Sequence, residues 1–269
     1  MGDVSRAGEI LLQEGPKELF FRSIHFFNEK ATDKFWSVYY NLKSGILGSQ
    51  VVSINGIKVD LDYDIISDSM KHKLRTKHYE NAEAELIEKN LNSQVPVVDL
   101  GVGIGYTSCV AENHLDDDVP VIGIEANPSM IPVIERTKEL NDSQFSIIHS
   151  AYHSTDDYIN FHVAADFWSS STYDRENREQ KETKVPAKSL KNILDMTEYP
   201  DKIQLVADIE GAEHDLINNE LDILKEHCEA IIIELHSYVE EDTDYYVSKL
   251  TENGYELVES QGSVYYFKQ

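Results

Sequence analysis

The stretch that decides the fold is Val97-Val98-Asp99-Leu100-Gly101-Val102-Gly103-Ile104-Gly105. Val97 to Leu100 read as a short apolar strand, and the glycines after them open a helix expected over 105–115. Glycine lets a turn approach a ligand closely, and the first amides of the following helix are free to bond one. The spacing is G-x-G-x-G rather than G-x-G-x-x-G. A sharp strand-to-helix turn calls for glycine on its own account, so the turn alone is a weak signal. Asp99 strengthens it: a carboxylate at the carboxyl end of the first strand suits a cationic ligand and would repel a pyrophosphate.

Outward from this stretch, strand and helix patterns alternate. Strands are expected at 96–100, 120–125, 145–150, 203–208 and 229–235. Helices are expected at 80–91, 105–115, 128–140, 212–227 with a break near Asn219, and 239–252. Such alternation implies parallel strands joined by right-handed helical crossovers. The end differs: Tyr255-Glu256-Leu257-Val258 and Val264-Tyr265-Tyr266-Phe267 flank Gln261-Gly262 and read as an antiparallel hairpin. Parallel strands closed by a hairpin give a Rossmann-like, seven-stranded α/β sheet of the class I methyltransferase kind, distinct from an all-parallel dinucleotide fold. A carboxylate at the position of Asp99 can face the positive amino group and sulfonium of S-adenosylmethionine.

Upstream, Val51–Ile54 and Ile57–Leu61 flank Asn55-Gly56, a two-residue hairpin turn. Pro16 to Lys43 read as one or two helices. Leu19, Phe20, Ile24, Phe27, Phe35, Trp36, Tyr39 and Tyr40 recur there at helical spacing, as core, a lid or an acceptor wall. Residues 1–75 are therefore expected to form a helical and hairpin extension, and 76–269 the cofactor-binding domain. The polar stretch 166–184 interrupts the alternation and is expected to be a loop over the site.

The carboxyl ends of the strands carry the candidate site. Glu125 closes the second strand about 20 residues beyond the glycines, where an acidic side chain accepts both hydroxyls of an adenosine ribose. Ser150 and Ala151 end the third strand and border the adenine. The fourth strand delivers Asp208-Ile209-Glu210-Gly211-Ala212-Glu213. Asp208 and Glu210 could orient an acceptor hydroxyl, act as general base, or bind a divalent cation. Glu213 reads as a helix N-terminal charge. His236 ends the fifth strand and reads equally as a proton acceptor or as a strand-end cap.

Composition sets bounds. Acidic residues outnumber basic ones 49 to 24, for a formal charge of −25. That field repels a phosphate backbone and argues against nucleic acid as substrate. Cys109 and Cys228 lie in apolar stretches and read as buried thiols in a reducing, cytoplasmic setting. No apolar run approaches the roughly 20 residues of a membrane span, and the first residues show no secretory signal. Oligomeric state is not legible.

Taken together, these motifs resemble the FkbM family of class I methyltransferases over roughly residues 50 to 269. The resemblance rests on His78-Tyr79-Glu80, the Val98–Tyr106 stretch, Glu125-Ala126-Asn127-Pro128, Ser170-Ser171, Val185-Pro186-Ala187-Lys188-Ser189-Leu190, Asp208–Glu213 and Glu234-Leu235-His236. Asp-x-Glu-Gly-Ala-Glu is the most specific element. The resemblance implies O-methylation of hydroxyls on sugars, polyketides and similar acceptors, with S-adenosylmethionine as donor. It implies that Asp99, Gly101, Gly103, Glu125 and Asn127 bind the donor, and that Tyr79 and Glu80 close over its methionine end. The family often has Gly-Ala-Asn where this chain has Gly101-Val102-Gly103, which touches one cofactor contact and not the fold. Two rivals remain: a nicotinamide-dependent oxidoreductase, which Glu125 also suits, and a non-catalytic binding protein that keeps the fold.

Overall fold

The structure, a computed structural model, describes residues 50–76, 79–164, 180–196, 202–236 and 241–269. The helices expected before Lys43, His78 and the Ser170-Ser171 pair lie outside the described residues.

The chain enters with the expected hairpin, β1 (Val51–Ile54) and β2 (Ile57–Asp60). Asn55 and Gly56 turn it with φ of 46° and 93°, the paired left-handed geometry that Asn-Gly favours. Helix α1 (Asp68–Thr76) follows and buries Met70 and Leu74. It was not foreseen, because its polar face leaves only those two fully buried positions. Then come α2 (Asn81–Asn90), β3 (Val97–Leu100), α3 (Tyr106–His114), β4 (Val121–Glu125), α4 (Ile131–Asn141) and β5 (Ser146–His149). After β5 the chain adds β6 (Ala151–Tyr152), β7 (Tyr158–Ala164), β8 (Gln180–Lys188) and α5 (Leu190–Met196). It resumes with β9 (Ile203–Ala207), α6 (Glu213–Asn219), α7 (Leu221–His227), β10 (Cys228–Glu234), α8 (Thr243–Glu252), β11 (Glu256–Gln261) and β12 (Val264–Lys268). The expected break near Asn219 separates α6 from α7 at Glu220.

The main sheet has seven strands in the order β11-β12-β10-β9-β3-β4-β5. β3, β4, β5, β9 and β10 run parallel, while β12 lies antiparallel to both β10 and β11. This is the seven-stranded class I methyltransferase arrangement. The central strands β3, β4 and β9 are buried along their whole length, as strands between two helical layers must be. Neighbouring residues therefore serve opposite cores: Val97, Val206 and Ile232 join the layer holding α2, α3, α4 and the first hairpin. Val98, Leu205 and Ile233 join the layer holding α5, α6 and α8. Residues 54–74 contribute Ile54, Ile57, Leu61, Met70 and Leu74 to the first of these layers, continuous with Leu86, Tyr106 and Ile134. Cys109 and Cys228 are buried free thiols.

One expectation is corrected. Residues 180–184, taken as part of a loop, belong to β8, which pairs antiparallel with β7 from Tyr158↔Pro186 to Ala164↔Gln180. Its charged residues alternate with ones that face inward: Glu182 and Lys184 are exposed, whereas Val185 and Ala187 are buried. Val185, Ala187, Phe161 and Ala151 form a small core of their own. A small three-stranded sheet with one wet face carries too few apolar residues for its period to stand out. Among the described residues no helix is long and apolar enough to cross a membrane.

Candidate active site

The register brings the carboxyl ends of four strands together, with Leu100 level with Ile124 on one side and Ala207 on the other. The strand order changes direction at β3, the place where open α/β sheets form a crevice. A cleft opens there, ≈ 720 Å³ counting its open mouth, lined by Gly101, Gly103, Glu125, Ser150, Ala151, Tyr79, Glu80, Asp208 and Glu210 among others.

The glycine turn is fixed by close contact as much as by conformation. Gly101 has a φ of 91°, and a Cβ on it would lie 1.8 Å from the Asp208 carbonyl oxygen. Its amide donates to the Ile124 carbonyl at 2.9 Å. No L side chain fits so close to backbone. Gly103 is left-handed as well, at φ 58°, and its amide donates to Glu125 Oε2 at 2.9 Å. Glu125 Oε1 accepts from the Asn127 amide at 2.7 Å. Burial pushes the Glu125 carboxyl up to about 7, against the lowering effect of those two amides. Asn127 is buried, and its Nδ2 has no hydrogen-bond partner. The Ser150 hydroxyl donates to the carbonyls of Ala151 and Pro186 at 3.0 and 3.1 Å, so Ser150 and Ala151 offer the cleft a wall rather than a polar group. Beyond them Tyr152 and Phe161, from β6 and β7, continue the wall. Neither was anticipated, because the ribbon that carries them was not.

Asp99 stands apart from the expected contact. It is 2 % exposed, lies behind the turn, and is absent from the cleft lining. Its Oδ2 accepts from Thr107 at 3.0 Å and Ser108 at 2.5 Å. Burial raises its pKa to about 6 in spite of those hydroxyls. Its influence on the cleft is through charge: it raises both Glu80 and Glu125.

At the other wall, Tyr79 is buried edge-on to Tyr106 at 5.9 Å and lines the cleft beside Glu80. Glu80 Oε2 is buried with no hydrogen-bond partner. Burial, with Glu83 nearby, holds the Glu80 carboxyl well above the usual carboxylate range. Glu80 also has a φ of 43°, and Glu210 a φ of 50°. The other described non-glycine residues with positive φ are Asn55, Asp118 and Asp142, types that tolerate that region. Glutamate does not, so the strained backbone of this kind coincides with the cleft.

Asp208, Glu210 and His236 do come together. His236 Nε2 lies 3.7 Å from both Asp208 Oδ1 and Glu210 Oε2. Its Nδ1 is 2.9 Å from Glu213 Oε1. Burial alone would lower the imidazole pKa; the bond to Glu213, its charge, and those of Asp208 and Glu210 outweigh that and raise it to about 9. His236 is therefore an imidazolium at neutral pH and has no lone pair with which to take a proton. Asp208 is raised well above the carboxylate range by burial and by Glu234 and Glu210, with His236 opposing. Sequence reasoning missed Glu213 and Glu234. Asp208, Glu234 and His236 each bring one ligand-capable atom within 4.8 Å of the others, and these three could hold a cation. Glu210 is not among them.

With this geometry in view, the Methyltransferase FkbM domain matches residues 99–257.

The chain belongs to the FkbM methyltransferase family.

No match is found among curated proteins. Similar solved structures include a precorrin-6y C5,15-methyltransferase from Geobacter metallireducens, 14 % identical over 69 % of this chain and 84 % of that one, with a TM-score of 0.42. Another is fibrillarin from Aeropyrum pernix with natively bound S-adenosyl-L-methionine, 12 % identical over 69 % of this chain and 73 % of that one, with a TM-score of 0.42. The fold of the FkbM chain stands on its own strand order.

The residues present fit a donor of the methyltransferase kind. Glu80, which lines the cleft, carries in Oε2 a buried acceptor without a donor. Buried polar atoms in that state are costly unless a ligand satisfies them.

Proposed function

We propose that this FkbM chain is an S-adenosylmethionine-dependent O-methyltransferase acting on a hydroxyl of a saccharide, polyketide or similar small molecule. The observation that carries the reading is one cleft with two chemistries. Glu125, bonded to the glycine turn, lies on one side, and Asp208 and Glu210 beside His236 on the other.

S-adenosylmethionine, when bound, supplies an electrophilic methyl group. Glu125 accepts the ribose hydroxyls, and Gly101 and Gly103 let the backbone approach. Ser150 and Ala151 flank the adenine, while Asn127 Nδ2 gives a further donor. Glu80 Oε2 accepts from the α-ammonium, and Tyr79 closes over the methionine end beside it. Asp99 adds negative charge from behind the turn. The enzyme's main contribution is alignment of the acceptor oxygen with the methyl.

A hydroxyl must lose its proton as it attacks, and a carboxylate in the cleft can take it. Asp208, which lines the cleft beside Glu210 and His236, is that base. Glu210 orients the acceptor hydroxyl. His236 stays protonated and balances the carboxylates. The acceptor is a small molecule or glycan and not a nucleic acid, in keeping with a formal charge of −25. The buried free thiols suit a reducing cytoplasm.

A second reading has a divalent cation on Asp208, Glu234 and His236, favoured by their mutual reach of 4.8 Å. The cation would lower the hydroxyl pKa directly.

The test is calorimetry with S-adenosylhomocysteine, together with transfer of labelled methyl to a panel of polyhydroxylated acceptors. Asp208→Ala keeps S-adenosylhomocysteine affinity and loses transfer; near-normal transfer removes Asp208 from the role. Loss of transfer in EDTA with recovery on Mg²⁺ supports the cation reading.

A further inference from the structure

We propose that Glu213 is a positioning residue: it holds the His236 ring so that Nε2, and not Nδ1, faces Asp208 and Glu210. The proposal rests on the methyltransferase reading of the cleft. Glu213 opens α6 and is 1 % exposed. Its Oε1 accepts from His236 Nδ1 at 2.9 Å and from the Ile209 amide at 3.3 Å. Its Oε2 is buried with no hydrogen-bond partner. Across the ring, Nε2 is 3.7 Å from Asp208 Oδ1 and from Glu210 Oε2.

Stability does not explain this carboxylate. Removing it from water is costly, its Oε2 remains without a partner, and replacing the whole buried pair by apolar side chains of like volume is often neutral or stabilising. What the carboxylate supplies is direction. An imidazole can turn over about its terminal torsion, and the two orientations exchange the nitrogen offered to the cleft. A buried acceptor against one nitrogen selects one orientation. The bond also joins two elements. His236 follows β10, whereas Glu213 follows the turn that carries Asp208 and Glu210. Glu213 therefore ties the ring to the same segment that presents the carboxylates it faces.

The test uses the full chain with ¹⁵N-labelled histidine and long-range ¹H–¹⁵N spectra, the His236 signal being assigned with His236→Gln. Wild type is compared with Glu213→Gln and Glu213→Leu, with and without S-adenosylhomocysteine. Gln keeps a carbonyl acceptor; Leu keeps the volume and removes the acceptor. Wild type gives a protected, slowly exchanging proton on Nδ1. Glu213→Gln keeps it, and Glu213→Leu loses it. A wild-type Nδ1 without a protected proton overturns the proposal, as does a Glu213→Leu signal equal to wild type. Should Leu fail to fold, Glu213→Met takes its place under the same two outcomes. A wild type that shows the Nδ1 signature but does not bind S-adenosylhomocysteine overturns the methyltransferase reading and leaves the positioning of the ring intact.

Discussion

Glu125→Ala is the perturbation whose consequence follows most directly from geometry. The carboxylate spends one lone pair of Oε2 on the Gly103 amide at 2.9 Å and one of Oε1 on the Asn127 amide at 2.7 Å. Each oxygen keeps a second lone pair for a ribose hydroxyl. A hydrogen bond to a charged group contributes about 1.5–3 kcal/mol, so losing even one raises the Kd at least about tenfold, and losing both about a hundredfold or more. The variant also leaves the Gly103 amide without its acceptor, which adds to the loss. The carboxyl titrates near 7, and hydroxyl donors favour its charged form. S-adenosylhomocysteine affinity in wild type therefore rises as pH increases through about 7. The assay is calorimetry of wild type, Glu125→Gln and Glu125→Ala on both sides of that pH. A folded Glu125→Ala that binds within about threefold of wild type would refute the ribose assignment.

Further outcomes follow from strain and titration. Glu80→Gly relieves a left-handed glutamate and a buried unpartnered oxygen, so it raises stability by about 1 kcal/mol while weakening S-adenosylhomocysteine binding; a lower Tm with unchanged binding contradicts this. Gly101→Ala places a Cβ 1.8 Å from the Asp208 carbonyl and costs about 3 kcal/mol or more, read by chemical denaturation. Glu83 and Glu125 are raised to about 7, Asp99 to about 6 and His236 to about 9. Groups raised in the folded state bind extra protons there, so their contribution is complete below the unfolded pKa and is lost as pH rises through the folded one. The free protein is accordingly more stable at pH about 6 than at pH about 8, and a Tm that falls on that acidification contradicts the assignment. Binding of S-adenosylmethionine at neutral pH releases protons as Glu125 ionises, measured by calorimetry in buffers of differing ionisation enthalpy.

Much of the fold was legible because its central strands obey simple rules. Val97, Val98 and Leu100 are apolar, as a strand covered on both faces requires, and Asp99 alone interrupts them. Asn55-Gly56 permits few structures other than a tight turn. The β7–β8 ribbon was not legible. Lys184 and Glu182 face water, and a strand with half its residues charged looks like a loop when read alone. In the site, Glu125, Asp208 and His236 could be placed because strand ends in a parallel sheet gather at one edge. Glu213 could not be separated from an ordinary helix-terminal glutamate. Its significance lies in a distance to His236 that only the folded chain defines. Asp99 shows the converse. Its position in sequence marked it as a contact, while Thr107 and Ser108 occupy it within the protein.

The central claim is that the cleft between the glycine turn and Glu80 takes S-adenosylmethionine. Thermal unfolding of the unmodified chain with saturating S-adenosylhomocysteine, and separately with NAD, tests it most directly, since a ligand of the folded state raises Tm by mass action. The account predicts a Tm increase with S-adenosylhomocysteine and none with NAD. An increase with NAD alone, or with neither, would contradict it.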